Sequence, residues 1–370
     1  MRIDDITVTV WEWKDIPATR YTKTISSSAT MTTQMGLVRI IADDGTDGYA
    51  FLGSALGSGA SDSETLVKRI KPMLVGEDPL ARERIWQSIM RRTRGTQMRI
   101  LGAIDVALWD LAGRAADVPV HRLMGSYRNS IPAYASSAVY GSVEAYADEA
   151  VKLKEEGWTA YKIHPPADPD EDIAICQGVR RAVGEKHRLM LDSTWSYDYP
   201  QALRVGQAIQ DLNYYWYEDP LVEDDIYNYV KLRQQLGIPI MATEFPQAGP
   251  TSYAPWITSQ ATDYLRGDVA IKGGLTSCLK TAHLAEAFHM NYEVHHGGNS
   301  LNNVANLHLL MAIRNCEYFE VLLPAAAQKH GLEDDIEVDS NGLVHAFEEP
   351  GLGAKIDFEL IERNKIATLS

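Results

Sequence analysis

The sequence is short of cysteine. Three stand in 370 residues (Cys176, Cys278 and Cys316), far apart and with no CxxC pair. That excludes a disulfide framework and a cysteine zinc site, and points to reduced thiols and a cytoplasmic setting. No apolar run approaches the length of a membrane span, and "MRIDDITVTVWEW" lacks the plan of a signal peptide. Positive charge is also short: 35 Lys and Arg face 50 Asp and Glu, a formal net charge of -15. Nucleic acid and anionic membranes are therefore disfavoured as partners. A small anionic substrate is not, because a metal ion or a local lysine reverses the field inside a pocket. There is no low-complexity segment and no heptad run.

What is present is length and rhythm. A chain of this size is suited to two domains rather than one core. Residues 3–13 and 36–50 read as strands with a turn at Asp44–Gly45. Between them the polar stretch over 15–35 reads as a long loop, of the kind that forms lids. Residues 61–124 switch to helical spacing, with a nearly apolar helix interrupted near Pro119. From about residue 130, eight short β-rich runs alternate with amphipathic stretches, the pattern of parallel strands joined by right-handed crossovers. Eight such strands close a TIM-type barrel. The expected division is a cap over 1–125, a barrel over 126–325, and a segment over 326–370 that returns to the cap.

The strand ends have a period. His164, Asp192, Glu218, Glu244, Asp268, His296 and Glu320 are separated by 28, 26, 26, 24, 28 and 24 residues, about one β/α unit each. In a barrel all seven converge on one rim. Lys162 lies two residues before His164, so both face the barrel mouth, and Pro165–Pro166 then end the strand. Alone, "KIH" is an ordinary solvated strand end; in register with the others it becomes a site. Asp192, Glu218 and Glu244 are three acids on adjacent strands, and an all-oxygen set of this kind suits Mg2+ or Mn2+. Asp268 and His296 form the next pair, a carboxylate orienting an imidazole for proton transfer. His295 competes with His296, since only one of two neighbours faces inward. Glu320 is a hydrogen-bond donor if protonated, or otherwise a rim acid, and Glu317 is expected to face solvent. Trp195 and Tyr197 are candidate pocket walls.

With these motifs in place, the sequence resembles the enolase superfamily, mandelate racemase subgroup. "AIDVALWDLAGRAADVPVHRLMG" is similar to that family's helix between cap and barrel. "LDSTWSY", "YEDP" and "ATEF" are similar to its three metal strands, and "DVAIKGGLT" with "HHGGNS" to its Asp–His dyad. The resemblance spans essentially the whole chain. It implies an α/β fold, a modified TIM barrel (β/α)7β with an α+β N-terminal capping domain. It also implies Mg2+-assisted removal of a proton α to a carboxylate through an enediolate. The chain departs from a frequent family pattern at His164, where the second barrel strand often carries a second lysine.

Dehydration of a hydroxy or sugar acid to a 2-keto product is the favoured reading, with Lys162 and Glu320 assisting and His296 as abstracting base. Racemisation or epimerisation of a 2-substituted acid, or cycloisomerisation, needs the same residues. A non-catalytic metal- or carboxylate-binding barrel would need only the three acids, and a metal-dependent hydrolase usually draws on histidine ligands. The partner expected is a small carboxylate, and the chain is expected to form a homo-oligomer. Specificity is expected in the loop near 15–35 and in "YAFLGSALG".

Overall fold

The computed structural model describes residues 1–22, 30–92, 97–244 and 249–370. Three antiparallel strands open the chain: β1 (Ile3–Pro17), β2 (Thr30–Ala42) and β3 (Asp47–Leu52). The loop expected over 15–35 is shorter than expected. Ile16 is buried and pairs with Met31, and Pro17 pairs with Thr30, so both strands run on into it. What remains is 18–29, of which 23–29 lie outside the described residues.

The helix Met98–Ala116 packs across this sheet. Gly48 permits the approach, since a Cβ there would meet the carbonyl oxygen of Ala107 at 2.2 Å. The helix stops at Asp117, which adopts the left-handed conformation, two residues before Pro119. Its other side is bound to the barrel. Asp105 accepts the amide and hydroxyl of Thr276 at 2.8 and 2.6 Å, and the Trp109 indole donates to the same hydroxyl. A Cβ at Gly102 would lie 2.3 Å from the Val269 carbonyl oxygen, so helix and barrel rim touch through bare backbone.

Eight parallel strands make the nearly closed barrel: β4 (Ser130–Ser136), β5 (Ala160–Ile163), β6 (Arg188–Asp192), β7 (Trp216–Glu218), β8 (Ile240–Ala242), β9 (Tyr264–Gly267), β10 (Asn291–Val294) and β11 (Phe319–Leu322). β11 pairs with β4, and the order then follows the chain round to β10. Helical segments fill the seven connections, as a (β/α)7β barrel requires. Tyr134, Ala160, Met190, Trp216, Met241 and Tyr318 plug the barrel interior, with Tyr134 and Trp216 edge to face at 5.6 Å. After the barrel, β12 (Leu343–His345) adds to β4, and β13 (Lys365–Leu369) pairs with β1. No helix among the described residues is long and apolar enough to cross a membrane. All three cysteines are buried and free.

Asp110 joins the pieces. Its carboxylate accepts the amides of Tyr49 on β3 (2.9 Å) and Leu352 in the C-terminal segment (2.7 Å), with Arg114 at 3.0 Å. Asp110→Ala strands these donors in a buried place and is expected to cost about 3 kcal/mol. Urea denaturation checks this; an unchanged midpoint would show that the junction does not depend on Asp110.

Candidate active site

The barrel strands deliver their last residues to one rim. Asp192 ends β6, Glu218 ends β7, and Glu244 follows β8 by two residues. Each offers an oxygen within 4.8 Å of the others, and all three are buried. The backbone beside them is strained: Thr194, Asp219 and Thr243 have φ of 46°, 41° and 85°. Non-glycine residues reach that region at a cost of about 1–3 kcal/mol, which the surrounding packing must offset.

Beneath the triad lies a buried ionic floor. Lys162 Nζ stands 3.1 Å from Asp192, 2.9 Å from Glu218 and 2.7 Å from Glu320. Arg266, on β9, contacts Glu218 with its Nε, lies 3.5 Å from Glu244, and reaches Glu320 at 2.6 Å. Burial opposes charge on Lys162, but Glu218 and Glu320 outweigh it and hold the ammonium protonated. Glu320 is likewise buried, yet Arg266 and Lys162 keep it well below the usual carboxylate range. It is therefore an acceptor within the floor, not a donor and not a rim acid.

With all four carboxylates ionised, Asp192, Glu218, Glu244 and Glu320 exceed Lys162 and Arg266 by two negative charges. Burial and the neighbouring Asp192 push Glu218 up to about 8. An excess of two on hard oxygens fits a divalent ion such as Mg2+ or Mn2+.

Two histidines flank this floor. His164 Nδ1 lies 2.7 Å from the Ser137 carbonyl, so that nitrogen donates, and Nε2 faces Asp192 at 3.0 Å. The sequence offered His164 no carboxylate partner; the fold supplies one. Across the mouth, Asp268 holds a histidine as expected, but that histidine is His295. Its Nδ1 lies 2.5 Å from Asp268 Oδ2, while Asp268 Oδ1 accepts the amides of Ala270 and Ile271. Burial disfavours the carboxylate of Asp268, and His295 with the two amides more than restores it.

His296 turns the other way. Its backbone N–H donates to Glu320 at 3.1 Å, its ring centroid lies 3.9 Å from that of Phe319, and burial pulls its pKa down to about 3. The reason is strand parity. Tyr292 and Val294 pack in the large apolar core outside the barrel, so Glu293 and His295 face the opposite way. The 28-residue step to His296 concealed this, and the alternation in "NYEVHH" was the signal. Arg266 was missed altogether, although it stands two residues before Asp268 and so shares its face.

The cavity above the floor is about 440 Å³ and is lined from both barrel and cap. Lys162, His164, Asp192, Glu244, Asp268, His295 and Glu320 reach it; Glu218 lies below. Trp195 lines it, whereas Tyr197 is buried and gives its hydroxyl to Asp172. "YAFLGSALG" supplies Phe51 to Gly57 to this lining. Tyr21 enters from the cap, edge-on to His164 at 5.3 Å and bonded to the Leu323 carbonyl. Glu317 is half exposed, with Arg188 3.5 Å away.

Two family models match this chain. Residues 6–125 match the mandelate racemase / muconate lactonizing enzyme N-terminal domain, and residues 145–360 the enolase C-terminal domain-like model. Among curated proteins the chain is 28% identical over 341 residues to arabinonate dehydratase of Saccharolobus solfataricus, covering 86% of this chain and 88% of that one. It is also 28% identical over 350 residues to D-galactarolactone cycloisomerase of Agrobacterium fabrum, covering 87% and 88%. Among solved structures, D-glucarate dehydratase from Agrobacterium tumefaciens complexed with magnesium superposes with a TM-score of 0.89 at 32% identity. That match covers 99% of this chain and 100% of the other.

Proposed function

The chain belongs to the mandelate racemase and muconate lactonizing enzyme family of enolase-like proteins, and from that premise we propose that it dehydrates an acid sugar to a 2-keto acid. One observation carries the reading: a buried carboxylate triad with an imidazole on each side, His164 at one edge and His295 at the other. The dehydratases among its relatives support it.

Asp192, Glu218 and Glu244 would hold Mg2+, with Mn2+ a possible substitute. When bound, the ion withdraws charge from the substrate carboxylate and acidifies the α C–H. Lys162, kept protonated, adds positive charge at the same end of the substrate. Glu320 holds Lys162 and Arg266 in place. Asp268 fixes His295 through Nδ1 and leaves Nε2 to take the α-proton. Burial opposes charge on His295, but Glu244 and Asp268 push it up to about 9. A divalent charge on the triad would offset Glu244 and bring it down. His295 thus takes the role the sequence gave to His296. His164, fixed on the Ser137 carbonyl, protonates the leaving β-hydroxyl from the opposite face. The α–β double bond forms as water leaves, and the enol tautomerises to the 2-keto acid.

The two imidazoles also give racemisation or epimerisation its footing, since either can return a proton to the α-carbon. A screen of acid sugars with Mg2+, followed by 2-keto-acid formation and by polarimetry, separates the readings. Keto product supports dehydration; loss of rotation without it overturns dehydration in favour of epimerisation.

Cation binding should displace a proton from Glu218. Because that proton is held up to about pH 8, the Mg2+ affinity is expected to rise with pH and level off above about 8. Titration calorimetry in buffers of different ionisation enthalpy counts the proton. An affinity constant between about pH 6 and 8 would contradict this ligand set.

A further inference from the structure

The cavity has two unlike ends. The barrel end holds the triad and the proton-transfer groups. The cap end is largely apolar, through Phe51, Leu52 and Leu56, yet Arg99 enters there from the first turn of the helix Met98–Ala116. Among the described lining residues it is the one Lys or Arg besides Lys162. Lys162 is taken up by three carboxylates. Arg99 is not. Asp62, itself buried, grips it from one side through Nε and Nη2. Nη1 bonds to no described residue, and the side chain is 45% exposed. Asp62 thus fixes the direction of the guanidinium without using up its donors. The helix adds positive potential, because Gln97 gives it no side-chain cap. Met98 sets the position: a Cβ on Gly273 would lie 2.7 Å from its Cε, so the helix start stands over the loop that follows Asp268.

We propose that Arg99 binds a second carboxylate, at the end of the substrate remote from the reacting α-carbon, so that the substrate is a dicarboxylic acid sugar rather than a monocarboxylic one. The proposal rests on the dehydration reading and narrows it. A monocarboxylic sugar acid is satisfied at the barrel end and leaves the edge of the guanidinium that Asp62 does not occupy without a ligand in an apolar wall. Ser54 and Gln97 at the same end remain for hydroxyls.

The test compares a six-carbon aldarate with the aldonate of the same stereochemistry, in wild type, Arg99→Lys and Arg99→Met, all with Mg2+. Wild type is expected to favour the aldarate in kcat/KM by about tenfold or more. Arg99→Met is expected to remove most of that ratio through KM, and Arg99→Lys to keep part of it. Titration of the Mg2+-loaded protein with unreactive glutarate and pentanoate reads the same contact without turnover. Equal use of both sugars, or a preference that survives Arg99→Met, overturns the dicarboxylate assignment and leaves dehydration standing. If neither sugar is turned over, the titration decides alone. A glutarate preference lost in Arg99→Met then supports the subsite while the reaction falls, and equal affinities overturn the subsite.

Discussion

Glu218→Gln is expected to lower kcat/KM by about a thousandfold, or ~4 kcal/mol of transition-state stabilisation. Glu218 is the triad member most enclosed by the floor, between Lys162, Arg266 and the Trp216 indole at 3.2 Å. Glutamine keeps its shape and one acceptor oxygen, so the fold should persist. It removes the carboxyl whose ionisation completes the two-charge excess that a divalent ion would balance. Calorimetry should therefore show weakened Mg2+ binding beside the lost turnover. Full activity of an EDTA-stripped wild type, or unaltered Mg2+ affinity in the variant, would sink the metal assignment.

His295→Asn should abolish exchange of the substrate α-proton with solvent deuterium and cut turnover by about a thousandfold. His295 faces the cavity, and Asp268 holds its Nδ1. His296→Asn should leave exchange within about tenfold of wild type, since that ring is packed on Phe319 outside the cavity. His164→Asn should slow keto-acid formation while exchange continues, because His164 acts on the leaving group. Exchange measured by proton NMR in deuterium oxide distinguishes the three. Exchange lost in His164→Asn but kept in His295→Asn would move the base to β5.

The barrel was legible because its signal is repeated. One strand end with an acid says little; seven at near-constant spacing specify a rim, and the three adjacent carboxylates of that rim meet within one ion's reach. What stayed hidden depended on a single-residue choice or on pairing across the fold. His295 and His296 fit the period equally well, and only the strand's alternation separates them. The protonation of Glu320 could not be read, because it depends on Arg266 from a strand two positions away round the barrel. The loop near 15–35 looked featureless because among its described residues only Ile16–Met31 and Pro17–Thr30 pair within it, too short a run to show a strand's alternation.

β13 follows the whole barrel in sequence yet belongs to the cap sheet. Val8 pairs with Leu369, so the cap sheet joins a strand that precedes the barrel to one that follows it. The eight barrel strands lie between them, and every barrel pairing except β11 with β4 joins consecutive strands, contacts that close early at small entropic cost. During synthesis the consecutive barrel strands can therefore meet while the β1 edge still lacks its partner. An uncovered strand edge is an invitation to pair with another chain. The interval before Lys365–Leu369 emerge leaves that edge open to misassembly, and β13 is what closes it.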